Sequence, residues 1–287
     1  MMKHPDYNSP TELKNFLESR NMAMQKKFGQ NFLVNGDARK LIIDTLQIKP
    51  GTKIWEIGPG LGAMTYEILQ TGAELTVFEI DHGFAAAITE FFADYKEQGK
   101  FKLVEGDVLK TWKKELQENG KPDYFFGNLP YNIAASLVGD TIEHGVRFDK
   151  MLITVQKEVA QRIAAQAGSK DCSSFSVLCQ WAYNVKPVVT LSGGNFWPKP
   201  NVDSRAVLLT PKQEFPGCSD PLVFAKMQRA LFSARRKTIK NNLANFLGSS
   251  EKAAEAIALA GLAENVRAEA LKLEQLLKLS DEVCKVK

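Results

Sequence analysis

The alternation of apolar and polar residues predicts a chain that switches repeatedly between strands and helices. Between residues 53 and 155, short apolar runs of strand length alternate with longer segments whose apolar residues recur at helical spacing. The predicted strands are 53–57, 74–80, 101–105, 123–127 and about 150–155, and the predicted helices are 63–71, 83–97, 111–119, 133–144 and 156–167. Such alternation is typical of a parallel sheet covered by helices on both faces.

The two ends of the chain differ from this central part. Ser9-Pro10-Thr11-Glu12 fits a capping box that opens a short helix ending near Asn21. Residues 185–191 and 204–210 predict an antiparallel pair that ends the sheet. Beyond residue 213 the pattern predicts helices alone, at about 221–233, 235–247, 251–260 and 267–279. We therefore predict an extension at 1–25, an α/β domain at 26–212 and a helical domain at 213–287.

Composition narrows the classes of protein that remain. The chain has 287 residues, 44% hydrophobic and 24% charged, which is ordinary for a globular protein, and its net charge of +4 is compatible with an anionic partner without requiring one. Its four cysteines form no Cys-x-x-Cys pair and its three histidines lie apart from them, so we predict neither a metal site nor a disulfide framework. No apolar run approaches the roughly 20 residues that span a bilayer, and we predict a cytoplasmic protein without a membrane partner.

A glycine-rich turn predicts a cofactor site. The strand at 53–57 leads into Gly58-Pro59-Gly60-Leu61-Gly62, and Glu79 ends the next strand, where a carboxylate suits two ribose hydroxyls. A dinucleotide and S-adenosylmethionine both fit this pattern. Gly-x-Gly-x-Gly differs from the spacing that brings a pyrophosphate onto a helix N-terminus, and Glu56 would repel phosphates but attract a cationic sulfonium. These features favour S-adenosylmethionine. Asp107, just past the third strand, would accept the adenine amine or, alternatively, cap a turn or helix.

The segment Asn128-Leu129-Pro130-Tyr131 predicts the site of chemistry. It follows the short aromatic strand at 123–127, and Pro130 biases Leu129 toward extended backbone. The Asn128 amide oxygen and neighbouring carbonyl oxygens form a set of acceptors that suits an exocyclic amine, and Tyr131 is placed to stack on the ring that carries it. Taken alone, the segment fits a strand-end turn with a buried tyrosine better than a catalytic site.

Six motifs occur in the order found in ribosomal RNA adenine dimethyltransferases, and the chain resembles the KsgA/RsmA type over about residues 26–247. The motifs are Gln30-Asn31-Phe32-Leu33, Glu56-Ile57-Gly58-Pro59-Gly60-Leu61-Gly62, Asn128-Leu129-Pro130-Tyr131, Gln156-Lys157-Glu158-Val159-Ala160, Pro198-Lys199-Pro200-Asn201-Val202-Asp203-Ser204 and Arg235-Arg236-Lys237-Thr238. Antibiotic-resistance enzymes of the same superfamily, which modify large-subunit RNA, tend to have Gly-Lys-Gly and Asn-Ile-Pro-Tyr instead. The residues found here favour the small-subunit enzyme.

The resemblance implies an α/β fold, a Rossmann-like class I methyltransferase with a mostly parallel seven-stranded sheet and a small all-helical C-terminal domain. It implies methyl transfer from S-adenosylmethionine to the N6 amines of two adjacent adenosines in a hairpin near the 3′ end of small-subunit (16S) rRNA, with a role in small-subunit biogenesis. The implied cofactor-binding residues are Gln30, Asn31, Leu33, Gly58, Gly60, Glu79, Asp107 and Asn128. Asn128 and Leu129 would orient the amine, and Tyr131 and Phe196 would hold the flipped base. Phe196 by itself also fits a core aromatic.

Clustered cations predict the RNA-binding surface. Lys26 and Lys27 precede the first motif, and Arg235, Arg236, Lys237 and Lys240 crowd the junction of two predicted C-terminal helices. Such runs are commonly solvated faces, but with the resemblance we expect them to contact the small ribosomal subunit and its rRNA. We also expect a monomer. Arg205 is unusual for the family and places a charge near the expected base pocket.

Three alternatives remain open from the sequence. A nicotinamide-dependent oxidoreductase would share the glycine turn and Glu79 but has no use for Asn-Leu-Pro-Tyr. A large-subunit rRNA methyltransferase and a non-catalytic RNA-binding ribosome-assembly factor would share the scaffold. The presence of Asn128 and Tyr131 argues against lost catalysis.

Overall fold

A computed structural model of the chain describes residues 4–24, 30–214 and 216–287, with the side chains of Tyr131 and Asn132 excepted. The helices are α1 (Pro10–Ser19), α2 (Gly36–Leu46), α3 (Ala63–Gln70), α4 (His82–Phe91), α5 (Ala93–Glu97), α6 (Val108–Asn119), α7 (Tyr131–Glu143), α8 (Lys157–Ile163), α9 (Ser174–Ala182), α10 (Pro221–Ser233), α11 (Ile239–Leu247), α12 (Ser250–Leu259) and α13 (Leu273–Val286). The strands are β1 (Phe32–Leu33), β2 (Lys53–Ile57), β3 (Glu74–Glu79), β4 (Phe101–Glu105), β5 (Tyr124–Asn128), β6 (Lys150–Gln156), β7 (Tyr183–Leu191), β8 (Phe196–Trp197) and β9 (Ser204–Pro211).

Seven strands form one sheet in the order β4-β3-β2-β5-β6-β9-β7. The pairs among β4, β3, β2, β5 and β6 are parallel, and β9 runs antiparallel to β6. The predicted α/β class and mostly parallel sheet are therefore confirmed, and the two predicted edge strands, β9 and β7, are neighbours at one end of the sheet. A second, two-stranded sheet pairs β1 with β8.

The parallel strands are buried because helices cover both faces of the sheet. Successive residues of β2 point to opposite faces: Ile54 belongs to a core cluster that also contains Ile68 of α3, whereas Trp55 packs against Phe78 and Phe148. The chain proceeds from β2 outward to β3 and β4, then crosses back to β5 on the other side of β2. This reversal opens a crevice at the carboxyl ends of β2 and β5.

Several helix boundaries differ from the prediction for identifiable reasons. The predicted helix at 83–97 divides into α4 and α5 at Phe92, which leaves helical geometry and buries its ring against Phe101. The helix predicted from 235 begins at Ile239, because the Thr238 side chain accepts a hydrogen bond from the Asn241 amide and caps α11 there. Ser9 caps α1 as predicted, but the Glu12 carboxylate accepts from the Asp6 amide and does not complete a capping box.

Two further predicted helices are shorter or shifted. The helix predicted at 156–167 ends at Ile163, the last residue of α8. In place of a helix at 267–279, a 3-10 turn at Ala268–Ala270 precedes α13, which begins only at Leu273.

The chain forms two compact units. The first contains the residues up to Leu137 together with Phe148–Lys157 and Lys186–Thr210, and the second contains Val138–Arg147, Glu158–Val185 and Pro211–Lys287. This division differs from the predicted boundary at residue 212. The reason lies in the packing of α9: Trp181 lies 4.7 Å from Phe224 of α10 between ring centroids, and its Nε1 donates to the Pro216 carbonyl at 2.9 Å.

Among the described residues, none of the helices has the length and apolarity that crossing a bilayer would require. The same part of the chain contains no cluster of three or more histidine, cysteine or acidic side chains that could hold a metal ion.

Candidate active site

A cavity of about 340 Å³ opens at the carboxyl ends of β2, β3, β4 and β5 within the first unit. Its walls include Gly58 after β2, Glu79 at the end of β3, Asp107 after β4 and Asn128 at the end of β5. The volume lies in the range of about 300–1,000 Å³ that is typical of small-molecule sites. The cavity occupies the crevice expected where the strand order reverses.

The turn between β2 and α3 needs glycine at three alternate positions, for different reasons. Gly58, Gly60 and Gly62 have φ of +68°, +57° and +86°, which disfavour any side chain. A Cβ on Gly62 would lie 2.6 Å from a ring atom of Phe92, so Gly62 allows α3 to pack. A Cβ on Gly58, by contrast, would meet no atom within 4 Å. Gly58 therefore leaves room on the cavity side for a ligand to approach the backbone.

Glu79 is buried and joins the glycine turn to the end of β3. Its Oε2 accepts from the Gly60 amide at 3.2 Å, and its Oε1 accepts from the Asp81 amide at 2.8 Å. Burial raises the pKa of Glu79 to about 7, although backbone donors at Asp81, Gly60 and Ile80 oppose this shift. A carboxylate has about four acceptor positions, so these bonds still leave capacity for a ligand hydroxyl.

Glu56 is a second buried carboxyl group on the same cavity. Its Oε2 accepts from the Thr65 hydroxyl at 2.7 Å. Burial raises the pKa of Glu56 to about 8, and the charge of Glu79 adds to this effect. Near neutral pH the group is therefore largely protonated in the free protein. The predicted attraction for a sulfonium requires the ionised form, which a bound cation would itself favour by lowering this pKa.

Asp107 caps a helix and also lies at the cavity, where the predicted contact with an adenine amine would be made. Its Oδ1 accepts from the Leu109 amide at 3.0 Å and caps α6. The same residue lies on the cavity wall.

The Asn128 side chain is oriented by a backbone group from the N-terminal motif. Its Nδ2 donates to the Asn31 carbonyl at 3.4 Å, which leaves Oδ1 as the acceptor of the amide. The neighbouring Leu129 amide donates to the Thr154 carbonyl at 2.9 Å and so fixes the backbone after β5. Asn128 and Leu129 are thus held from two different directions.

The ribbon of β1 and β8 brings the N-terminal motif next to Phe196. Phe32 pairs with Trp197 and Leu33 with Phe196, and the Val34 amide donates to the Asn195 carbonyl at 2.9 Å. Phe196 is buried and also lines the cavity, so it is both a core aromatic and part of the cavity wall.

Most of the residues predicted from sequence meet at this cavity. The residues that line it are Gln30, Asn31, Leu33, Gly58, Gly60, Glu79, Asp107, Asn128, Leu129 and Phe196. Tyr131 begins α7, but its side chain lies outside the described part, as do Lys26 and Lys27. Arg205 was expected to place a charge near the base pocket. It is absent from the described cavity lining, and its Nε instead donates to the Thr190 hydroxyl at 3.0 Å.

Thr154 and Ile80 are among the wall residues that the sequence did not predict. Thr154 lies between apolar residues of β6 and contributes a backbone carbonyl, for which the sequence holds no signal. Ile80 lies on the wall and is 41% exposed. The sequence did contain a signal for Ile80, because an apolar residue directly follows Glu79 at the acidic end of β3.

The predicted cations of the second unit are partly engaged with acids. Arg235 lies 3.0 Å from Glu269 and Lys240 lies 2.7 Å from Glu264. Arg236 and Lys237 are exposed at the start of the same segment. Exposed pairs of this kind contribute at most about 1 kcal/mol, so they do not prevent the cations from contacting an anionic partner.

Comparisons with known proteins agree on one family. The model of the family described as "Ribosomal RNA adenine dimethylase" matches residues 21–285. "Ribosomal RNA small subunit methyltransferase A" of Treponema denticola is 50% identical over 280 residues, covering 96% of this chain and 95% of that protein. The protein of the same name from Treponema pallidum is 42% identical over 282 residues, covering 96% and 97%. A crystal structure of a dimethyladenosine transferase from Plasmodium falciparum has the same fold, with a TM-score of 0.69, 24% identity and coverage of 88% of this chain and 97% of that one.

Proposed function

Because this chain belongs to the ribosomal RNA adenine dimethylase family, we propose that it transfers methyl groups from S-adenosylmethionine to adenosine N6 amines of small-subunit rRNA, giving N6,N6-dimethyladenosine. The substrate we propose is a pair of adjacent adenosines in a hairpin near the 3′ end of that RNA, with a role in small-subunit biogenesis. The names of the relatives favour this over the large-subunit alternative. The observation that carries the proposal is the Asn128 amide, oriented by Asn31 on the wall of a cavity that also contains the glycine turn.

The cavity residues fit S-adenosylmethionine. Gly58 leaves space at the turn, the Glu79 carboxylate has acceptor capacity for ribose hydroxyls, and Asp107 lies where it can accept the adenine amine. When bound, this cofactor supplies an electrophilic methyl group on a sulfonium. Gln30, Asn31, Leu33 and Gly60 complete the set that we assign to the cofactor.

Asn128 and Leu129 act by orienting the target amine. The lone pair of adenine N6 is delocalised into the ring, and it becomes a better nucleophile when its N–H bonds point at acceptors that favour a pyramidal nitrogen. The Asn128 Oδ1 and the Leu129 carbonyl are those acceptors. No strong base is needed, because the proton leaves after transfer and alignment of the reacting atoms supplies most of the rate enhancement.

Tyr131 and Phe196 hold the base once it has left its stack. Extruding a base costs a few kcal/mol, and stacking on an aromatic side chain returns about 1–3 kcal/mol per base. The two effects are similar in size, so the aromatic pair contributes substantially to substrate binding. The buried position of Phe196 on the cavity wall supports this assignment.

The small ribosomal subunit is the partner we propose, bound by a monomer. Residues 213–287 contribute cations from Arg235 to Lys240, and Lys26 and Lys27 add charge near the N-terminal motif. These cations contact RNA phosphates.

The experiment incubates the protein and labelled S-adenosylmethionine with small subunits that lack the modification, and then maps the label. We expect label on two adjacent adenosines, and an at least ~100-fold slower transfer for Asn128→Ala, since an acceptor aimed at the reacting group is commonly worth that much. Calorimetry measures cofactor binding separately. Asn119→Ala, at the exposed end of α6, removes the same side chain outside the cavity and serves as the control.

Label on large subunits alone would contradict the small-subunit assignment. Binding of small subunits without any transfer would favour the non-catalytic assembly factor. Transfer that persists undiminished in Asn128→Ala would overturn the orienting mechanism.

A further inference from the structure

The segment before the first motif reaches the cofactor turn through Tyr7. This residue is only 5% exposed, and its hydroxyl donates to the Leu61 carbonyl at 2.9 Å. Leu61 lies between Gly60 and Gly62, in the middle of the turn that forms one wall of the cavity. The Tyr7 ring is held in place by stacking on His4, with 4.7 Å between ring centroids. A residue far from the motif in sequence therefore bonds directly to the backbone of the turn.

A buried guanidinium connects the same segment to β1. Arg39 of α2 is 3% exposed; its Nη1 donates to the Leu33 carbonyl at 2.8 Å and its Nη2 donates to Asn8 Oδ1 at 2.8 Å. Leu33 lines the cavity. Removing a hydrogen-bond acceptor from a buried charge is strongly destabilising, so the Leu33 and Asn8 acceptors are important to Arg39. Glu67 of α3 adds a carboxylate 3.8 Å from the Arg39 Nε.

Asn8 packs so closely against the start of α2 that the residue at position 36 must be glycine. A Cβ on Gly36 would lie 2.9 Å from Asn8 Oδ1, which is too short for a real contact. Gly36 therefore makes room for the acceptor that Arg39 uses.

The N-terminal segment is anchored independently of these bonds. Leu13 and Leu17 of α1 are buried in the core cluster that contains Phe91, and Arg20 forms an ion pair with Glu90 at 2.7 Å. Removing the Tyr7 hydroxyl or the Asn8 side-chain amide therefore leaves α1 attached to the domain.

We propose that Tyr7, Asn8 and Arg39 form a brace that positions two parts of the cavity wall, the glycine turn through the Leu61 carbonyl and β1 through the Leu33 carbonyl. The inference rests on the proposed function, because the ligand in question is S-adenosylmethionine. The brace touches neither Asn128 nor the reacting atoms. It acts through the backbone of the turn and of β1, and its loss weakens cofactor binding without slowing the methyl transfer itself.

The test compares Tyr7→Phe and Asn8→Ala with wild type in the full-length chain. We expect the Kd and KM for S-adenosylmethionine to rise about three- to tenfold, as loss of one hydrogen bond implies, while kcat with small subunits stays within about twofold. The matched control is Tyr95→Phe, which removes a hydroxyl that accepts from Gln70 Nε2 at 2.7 Å, outside the cavity lining. The control should leave Kd, KM and kcat unchanged.

Cofactor affinity equal to that of wild type in both variants would overturn the brace, as would a fall in kcat at unchanged Kd. If Tyr7→Phe fails to fold, Asn8→Ala decides alone, since Asn8 is exposed and its substitution spares the core. A wild-type chain that binds no S-adenosylmethionine would overturn the proposed function and the brace together. Normal wild-type binding with unaffected variants would overturn only the brace.

Discussion

At the scale of single residues, two buried carboxyl groups on the cavity wall make the stability of the first unit depend on pH. Glu56 and Glu79 both line the cavity, and burial raises the pKa of Glu56 to about 8 and that of Glu79 to about 7. An ordinary glutamate has a pKa near 4.5. The folded protein therefore holds more protons than the unfolded chain between these values. Stability from this source is fully present below about pH 4.5 and is lost as pH rises through the folded pKa values.

Because stability from this source falls as pH rises, we can predict the effect of Glu56→Gln. The wild-type free energy of unfolding should fall as pH rises from about 5 to 8, and the variant should lose less over that window, by on the order of 1–3 kcal/mol. The amide oxygen of glutamine can still accept from the Thr65 hydroxyl, so the local hydrogen bond is kept. Urea unfolding at pH 5, 6, 7 and 8 measures the difference.

The control for this prediction is Glu118→Gln, which removes an exposed carboxylate from α6. It should leave the pH dependence as in wild type. Parallel curves for wild type and Glu56→Gln would show that Glu56 is ionised throughout the window.

The sequence identified these carboxylates but not their protonation. Glu79 and Asp107 could be placed at strand ends from periodicity alone, and both line the cavity. The raised pKa of Glu56 depends on how tightly α3 and the neighbouring strands enclose it, which no local pattern encodes. For the same reason the sequence could not decide between the cap and the wall position of Asp107, and the structure combines them.

At the scale of elements, different glycines of the turn serve packing and ligand access. Gly62 faces Phe92 of the core, while Gly58 faces open space at the cavity. Both have positive φ, so an alanine at either position is strained by about 1–2 kcal/mol. What distinguishes them is the neighbour that the new methyl group meets.

We therefore expect Gly62→Ala and Gly58→Ala to fail in different ways. Gly62→Ala should lower the free energy of unfolding by about 2–4 kcal/mol, since overpacking against Phe92 adds to the backbone strain. Gly58→Ala should cost only the strain, yet weaken S-adenosylmethionine binding by at least about tenfold, because its methyl group occupies the ligand's side of the turn. Urea unfolding and calorimetry distinguish the two, and equal stability losses with unaltered affinity would contradict this division.

The long elements were predictable and the short ones were not. The βα alternation from 53 to 155 rests on periodicity over many residues, and the sheet follows from it. The ribbon of β1 and β8 contains two residues per strand and joins segments more than 150 residues apart, so no periodic signal exists for it. The break at Phe92 likewise arises from burial of one ring against Phe101, a tertiary contact.

At the scale of the whole molecule, net charge of +4 says less than the arrangement of its cations. Arg235 donates to the Lys170 carbonyl and pairs with Glu269, so it helps to hold the second unit together. Arg236 and Lys237 are exposed beside it. The cations predicted as one RNA-binding group thus differ: Arg235 forms contacts within the second unit, whereas Arg236 and Lys237 are exposed.

Replacing Arg236 and Lys237 with glutamine should weaken binding to small subunits and reduce its dependence on salt. If each contacts one phosphate, the slope of log K against log salt should fall by about 0.7–0.9 per residue. Filter binding over a series of KCl concentrations gives the slope. Lys252 and Lys278, exposed on α12 and α13, provide a control with the same loss of charge.

An unchanged slope in the Arg236 and Lys237 double variant would contradict phosphate contact. Arg235→Ala should behave differently, with a loss of thermal stability, because its carbonyl and carboxylate partners are left without their donor.

The pairing of Leu33 with Phe196 also has a consequence for the order in which the protein becomes functional during synthesis. The glycine turn, Glu79 and Asp107 all leave the ribosome early, but one wall of the cavity is made by residues that follow about 90 positions after Asp107. A nascent chain that has not yet released Phe196 lacks the partner strand of β1 and so has an open pocket. The complete cavity wall therefore forms only when about two thirds of the polypeptide has emerged.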